Sequence, residues 1–254
     1  MRFPLRLSAD LALARFLSRI SRSPYGPILR LSPLLTPFSL KERFEESSTD
    51  LEWDSPEECL RRANQFGARI VWLGGAEPLL HPEIGRVAGA LTESGRHVFL
   101  HTSGRGLRRR IHEFQPGSRL FLVLEFAGRE AVHDSRAGQP GAYRRVLESF
   151  RAAKLSGFLV CAHITIGPDS DACEIGELFE ELCAKDADGL IVSSGGTNSA
   201  ASTSGNLGEI RGLIRHGGWE RFSRILESSP VAPAAVPARP RISGKQEGAF
   251  EEGV

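Results

Sequence analysis

Six short apolar runs, each followed by a stretch with helical signals, restrict this 254-residue chain more than any other feature. The runs are residues 27–31, 70–73, 97–101, 120–126, 158–166 and 189–192. Runs such as Leu-Phe-Leu-Val-Leu-Glu-Phe (120–126) are apolar almost throughout, as expected of strands covered on both faces. The stretches between them carry helix starts and stops. Ser55-Pro56-Glu57-Glu58 supplies an N-cap serine, a proline at the first position and a glutamate at the third, and Gly67 stands where that helix should end. Further helices are expected over 39–46, where Ser39 and Glu42 form a capping-box pattern, over 82–94, over 143–155, and from Ser170 or Asp171 to 184. Strands alternating with helices at this spacing form a parallel sheet with the helices outside. Six units are visible with no seventh or eighth, so the expected fold is α/β: a partial (β/α)6 TIM-like barrel.

In such folds ligands sit at the carboxyl ends of the strands. The sharpest strand end is Val71-Trp72-Leu73-Gly74-Gly75-Ala76-Glu77-Pro78-Leu79-Leu80-His81-Pro82, where an apolar run meets two glycines and then a helix start. Glu77 has two readings there: contact with a ligand amine, or a cap on the N–H groups of the following helix. His81 reads as an N-cap or partly exposed residue. His101 and His163, near the ends of the third and fifth runs, form with Glu125 a candidate polar and catalytic cluster at the mouth. Arg105 to Arg110 holds four arginines, either a solvated helical face or an anion or partner site. Asp134 and Arg136 are expected to pair across the loop after the fourth strand.

Composition excludes several classes. Lys+Arg (32) against Asp+Glu (31) leaves a net charge of +1, which argues against a nucleic-acid partner. No run reaches the 18 or so apolar residues of a membrane span. The four cysteines (Cys59, Cys161, Cys173, Cys183) show no metal-finger spacing and read as reduced thiols of a cytoplasmic protein.

The chain divides into a basic amphipathic helix (1–24), the barrel (25–195), a short helical C-terminal extension (196–227) and a tail (228–254) whose prolines and charges predict disorder. Ser8 is the expected cap of the first helix, and Leu13, Phe16, Leu17 and Ile20 recur at helical spacing. Asp10, Arg15 and Arg19 interrupt the apolar run, which argues against a secretory core. That helix either lies across the barrel or makes peripheral contact with an anionic membrane.

Gly75-Ala76-Glu77-Pro78 resembles the Gly-Gly-Glu-Pro motif of the radical S-adenosylmethionine (SAM) superfamily. Thr102-Ser103-Gly104 is similar to the family's Thr-Asn-Gly, and His133-Asp134 with Arg136-Ala137-Gly138 is similar to its stretch after the fourth strand. Within the superfamily, the basic helix and Tyr25 to Leu34 resemble the adenosyl-hopene transferase branch of hopanoid biosynthesis. The resemblance covers about residues 8–195 and implies a radical SAM type of barrel. It also implies cofactor contacts at Gly74, Gly75, Ala76, Glu77, Pro78 and Ser103.

The departures matter as much. The family's C-x-x-x-C-x-x-C places three thiolates on a [4Fe–4S] cluster. Aligned positions here are Pro37, Lys41 and Phe44, none of which ligates iron as a thiolate does. Ala76 replaces the second glycine of the turn, and Ala127 replaces a frequent aspartate. The expectation is a pseudoenzyme without a [4Fe–4S] cluster, acting by binding or as partner of an active homologue. SAM is the cofactor still open. The alternative is a transferase or other barrel enzyme that works without the cluster.

Overall fold

The computed structural model describes residues 1–20, 27–34, 52–75, 77–167, 170–194, 203–215, 217–229 and 231–232. Six parallel strands form one curled sheet in the order β1-β2-β3-β4-β5-β6: Ile28–Leu31, Ile70–Leu73, His97–Thr102, Leu120–Phe126, Leu159–Ile166 and Gly189–Ser194. Helices α2 (Pro56–Gln65), α3 (Ile84–Glu93), α4 (Leu107–Arg110), α5 (Glu130–Ala137), α6 (Ala142–Leu155) and α7 (Ala172–Ala184) lie between the strands. This is the expected partial (β/α)6 TIM-like barrel. The helix expected over 39–46 lies outside the described residues, as do Pro37, Lys41 and Phe44.

Local signals act as the sequence predicts where they are self-contained. The Ser55 side chain accepts the Glu58 N–H at 3.1 Å and starts α2. Asp171 does the same for Cys173 at 2.7 Å and starts α7. The helix expected from Pro82 differs. A 3-10 turn, Pro78–Leu80, comes first, and α3 starts only at Ile84.

The open side of the half-barrel is filled by the chain's C-terminal part. Helix α8 (Thr203–Leu213) packs on α7, and α9 (Gly217–Ser228) enters the concave side. Phe99 and Phe121 stack there at 4.4 Å, and Phe222 lies 4.6 Å from Phe99. Trp219 approaches β6 so closely that a Cβ on Gly189 would sit 2.4 Å from its ring, so only glycine fits. Ser223 Oγ accepts the Val192 N–H at 3.0 Å and fastens α9 to β6. The segment read as an extension is therefore part of the core: Trp219 and Phe222 are fully buried.

The expectation of disorder from 228 onward also needs correction at its start. Ala232 N–H donates to the Arg30 carbonyl at 2.8 Å, and Ala232 is buried. An edge strand offers unpaired backbone groups, and this segment uses some of β1's. Residues 233–254 lie outside the described residues.

Helix α1 (Leu5–Ile20) lies across the amino-terminal edge of the sheet. Asp10 reaches Arg69 (3.1 Å), His97 (3.0 Å) and Arg119 (3.8 Å), which sit at the starts of β2, β3 and β4. Burial holds the His97 imidazole below its usual range, against the pull of Asp10.

Candidate functional site

Two polar clusters occupy the mouth. The first surrounds Glu77. One carboxylate oxygen accepts Thr102 Oγ–H at 2.5 Å and Leu79 N–H at 3.2 Å; the other accepts Ser103 N–H at 2.9 Å and Ser103 Oγ–H at 2.6 Å. Burial pushes this carboxyl above its usual range, and the same hydrogen bonds oppose the shift. Glu77 thus clamps the end of β2 to the end of β3 and caps the 3-10 turn.

The glycines before it serve the same closure. Gly74 N–H donates to Leu31 O at 3.0 Å. Gly75 has φ of +100°, and a Cβ on it would meet Ser32 Oγ at 2.6 Å. Ala76 lies outside the described residues. Pro78 is buried in the turn, and Ser103 is held by Glu77.

His81, expected as an N-cap or partly exposed residue, is buried. Its Nδ1 accepts Glu83 N–H at 2.9 Å, so its Nε2 carries the proton donated to Asp54 O at 2.8 Å. Arg110 holds the same turn from outside, donating to the carbonyls of Leu79, His81 and Pro82 and pairing with Glu113. One of the four arginines is therefore structural.

The second cluster lies inside the barrel. His163 Nδ1 is 3.0 Å from His101 Nε2, and His163 Nε2 is 2.7 Å from Ser193 Oγ. Glu125 Oε2 stands 3.9 Å from His101 Nε2. Trp72 packs on both imidazoles, with ring centroids 5.1 Å from His101 and 5.4 Å from His163. These side chains belong to β2, β3, β4, β5 and β6 and project to one face because strand side chains alternate.

A cavity of about 280 Å³ opens beside them, lined also by Arg30, Ser32, Gly74 and Gly75. That is at the lower edge of small-molecule sites, about 300–1,000 Å³. The His101–His163–Ser193 chain can pass a proton in either direction. Each neutral imidazole donates through one nitrogen and accepts through the other, and the hydroxyl does both. His101, Glu125 and His163 are legible in the sequence; Trp72 as a wall and Ser193 as the end of the chain are not. Their signal was strand parity, since Trp72 lies two residues before Gly74 and Ser193 two after Ile191.

A wider cleft of about 800 Å³ runs along the outer side of the Glu77 clamp, with Arg105, Arg108, Arg109 and Arg145 on its walls. Arg108 pairs with Glu148 at 2.7 Å. Asp134 and Arg136 do not pair. Asp134 accepts the N–H groups of Gly141 and Tyr143 (2.5 and 2.8 Å), which hold its carboxyl below the usual range. Arg136 donates instead to the carbonyls of Ala127 and Thr165.

The profile of the radical SAM superfamily matches residues 38–182, more than half of the chain. The chain belongs to the radical SAM superfamily. The AdoMet-dependent heme synthase of Methanosarcina barkeri is 30% identical over 140 residues, which span 53% of this chain and 40% of that protein. Among solved structures, Streptococcus suis SuiB bound to its precursor peptide SuiA aligns at a TM-score of 0.55 and 12% identity, over 85% of this chain and 50% of SuiB. SuiB bound to S-adenosylmethionine gives 0.53 and 14%, over 79% and 49%. Methylornithine synthase gives 0.51 and 13%, over 96% and 82%. The chain thus spans half or less of the heme synthase and of SuiB, and these structural likenesses concern the fold.

The superfamily implies a [4Fe–4S] cluster and SAM. All four thiols of this radical SAM chain are placed: Cys59 on α2, Cys161 on β5, Cys173 and Cys183 on α7. Burial pushes the Cys59 thiol up to about 12 and Cys161 well above its usual value, so both stay protonated. Among the described residues no group of three His, Cys, Asp or Glu side chains is placed to hold a metal ion. This donor set does not fit a three-thiolate cluster.

Proposed function

We propose that this radical SAM family member is a pseudoenzyme. In this reading it binds a small polar ligand at the barrel mouth without reductive chemistry and acts as a partner of an active homologue. One observation carries the reading: the Glu77 carboxylate is spent on Thr102, Ser103 and Leu79 of its own chain, and no three-thiolate set accompanies it. The polar groups of the motif turn hold strand ends together. Glu77 and Ser103 also border the wider outer cleft, while His101, His163 and Ser193 line the smaller cavity inside the barrel.

Anaerobic reconstitution with iron and sulfide tests this. The expected result is substoichiometric iron and no cluster absorbance, with the fold intact by circular dichroism. One cluster per chain would overturn it.

A second reading is a SAM-binding transferase that works without the cluster. The observation favouring it is that Gly74 and Gly75 line the same cavity as the two imidazoles. Calorimetry with SAM, and with methionine and 5′-deoxyadenosine, separates the two. Turnover of SAM in iron-free protein, abolished by His163→Ala, would favour the transferase. Binding without turnover would favour the pseudoenzyme.

The branch is proposed from Tyr25 to Leu34, whose pattern resembles adenosyl-hopene transferases. On that reading the active partner belongs to hopanoid synthesis. A cysteine-containing homologue encoded beside this gene, co-sedimenting with the protein, is the outcome expected.

A further inference from the structure

Helix α1 has two apolar faces. Leu7, Leu11 and Ala14 are buried against the underside of the barrel. At about 100° per residue, these three fall within an arc of about 60°. Leu5, Leu13, Phe16, Leu17 and Ile20 fall within about 120° on the opposite side. They are 86%, 40%, 60%, 45% and 64% exposed. Elsewhere among the described residues the large exposed apolar side chains (Leu80, Leu155, Leu213, Val231) stand singly on separate elements. A contiguous exposed stripe of this kind marks a contact surface.

Charge decides what it contacts. Arg2, Arg6, Arg15 and Arg19 are exposed on and beside the stripe. The single acid of the helix, Asp10, is turned to Arg69, His97 and Arg119 on the barrel side. A second copy of the chain meeting this face about a two-fold axis would set arginine against arginine. An anionic lipid surface supplies both an apolar interior for the stripe and negative headgroups for its flanks.

We propose that α1 docks this protein on an anionic bilayer, lying in the interface plane with Leu5, Leu13, Phe16, Leu17 and Ile20 in the acyl boundary. Because α1 crosses the amino-terminal ends of β2, β3 and β4, docking turns the mouth, with His101, His163 and Ser193, toward water. The ligand of the mouth then reaches it from solution, whatever that ligand is.

Flotation of the full chain with vesicles tests the proposal. Vesicles of equal parts phosphatidylglycerol and phosphatidylcholine should carry the protein, and phosphatidylcholine alone should carry at least tenfold less. Phe16→Glu with Ile20→Glu should reduce flotation at least tenfold without moving the melting temperature, since both side chains are exposed. Arg6→Ala with Arg19→Ala should lose the preference for the anionic vesicles. Hydrogen exchange on the vesicles should slow over residues 5–20 and stay unchanged over 103–110. Absent flotation, flotation that survives Phe16→Glu with Ile20→Glu, or slowing confined to 103–110 would overturn the proposal. So would a dimer in sedimentation that the double glutamate variant splits, which would make a second copy the occupant.

Discussion

The two polar clusters at the mouth stand on neighbouring strand ends and differ in where their hydrogen bonds go. Around Glu77, four donors from the same chain converge on one carboxylate. Around His163, the chain of contacts runs through His101 and Ser193 along the wall of a cavity. The Glu77 carboxylate of the motif turn thus acts as a clamp, while Gly74 and Gly75 of the same turn line the cavity beside His101 and His163. Buried polar groups must be satisfied, and a carboxylate satisfied internally has little left for a ligand.

Several experiments would break or sharpen this contrast. Glu77→Ala removes the acceptor of four hydrogen bonds and should cost about 3 kcal/mol in a urea melt. A variant that kept its midpoint while losing a ligand would reverse the assignment. Gly75→Ala forces a Cβ against Ser32 at positive φ and should cost about 1–3 kcal/mol, with the loss partly recovered by Ser32→Gly. His163→Ala should cost less, about 1 kcal/mol, and remove ligand-induced thermal stabilisation. An unchanged ligand shift would take the mouth cluster out of recognition.

The smallest expected effect concerns pH. Burial raises the Glu77 carboxyl in the folded protein, so between the ordinary carboxyl value and the raised one the folded state holds more protons than the unfolded. Its contribution to stability is present below that window and falls as pH rises through it. Glu77→Gln should flatten this part of the stability profile, whereas His163→Ala should leave its slope in place.

How much could be read beforehand follows from the range of each interaction. Ser55 capping α2 and Asp171 capping α7 depend on residues two or three positions apart, and both were legible. The meeting of His101, Glu125 and His163 was legible too, because parallel strands in sequential order bring equivalent strand ends together. Ser193 and Trp72 were missed because register decides which of two neighbouring residues faces inward. Asp54 stands one residue before Ser55, the cap of α2. In the fold it is buried against Arg62, which also donates to Ser32 O at 3.3 Å, and burial raises the Asp54 carboxyl against that pairing. A contact between the β1 exit, the start of α2 and the C-terminal segment has no local sequence signature.

The sequence by itself determined the six strand–helix units, their parallel order and the lack of a three-cysteine motif. These depend on periodicity, turn residues and residue identity, all local properties. Only the tertiary structure decided that Glu77 is spent on β3 and that Trp219 and Phe222 fill the open side. It alone also left one apolar face of α1 uncovered. Each of these outcomes depends on contacts between residues far apart in sequence, and those are settled by packing.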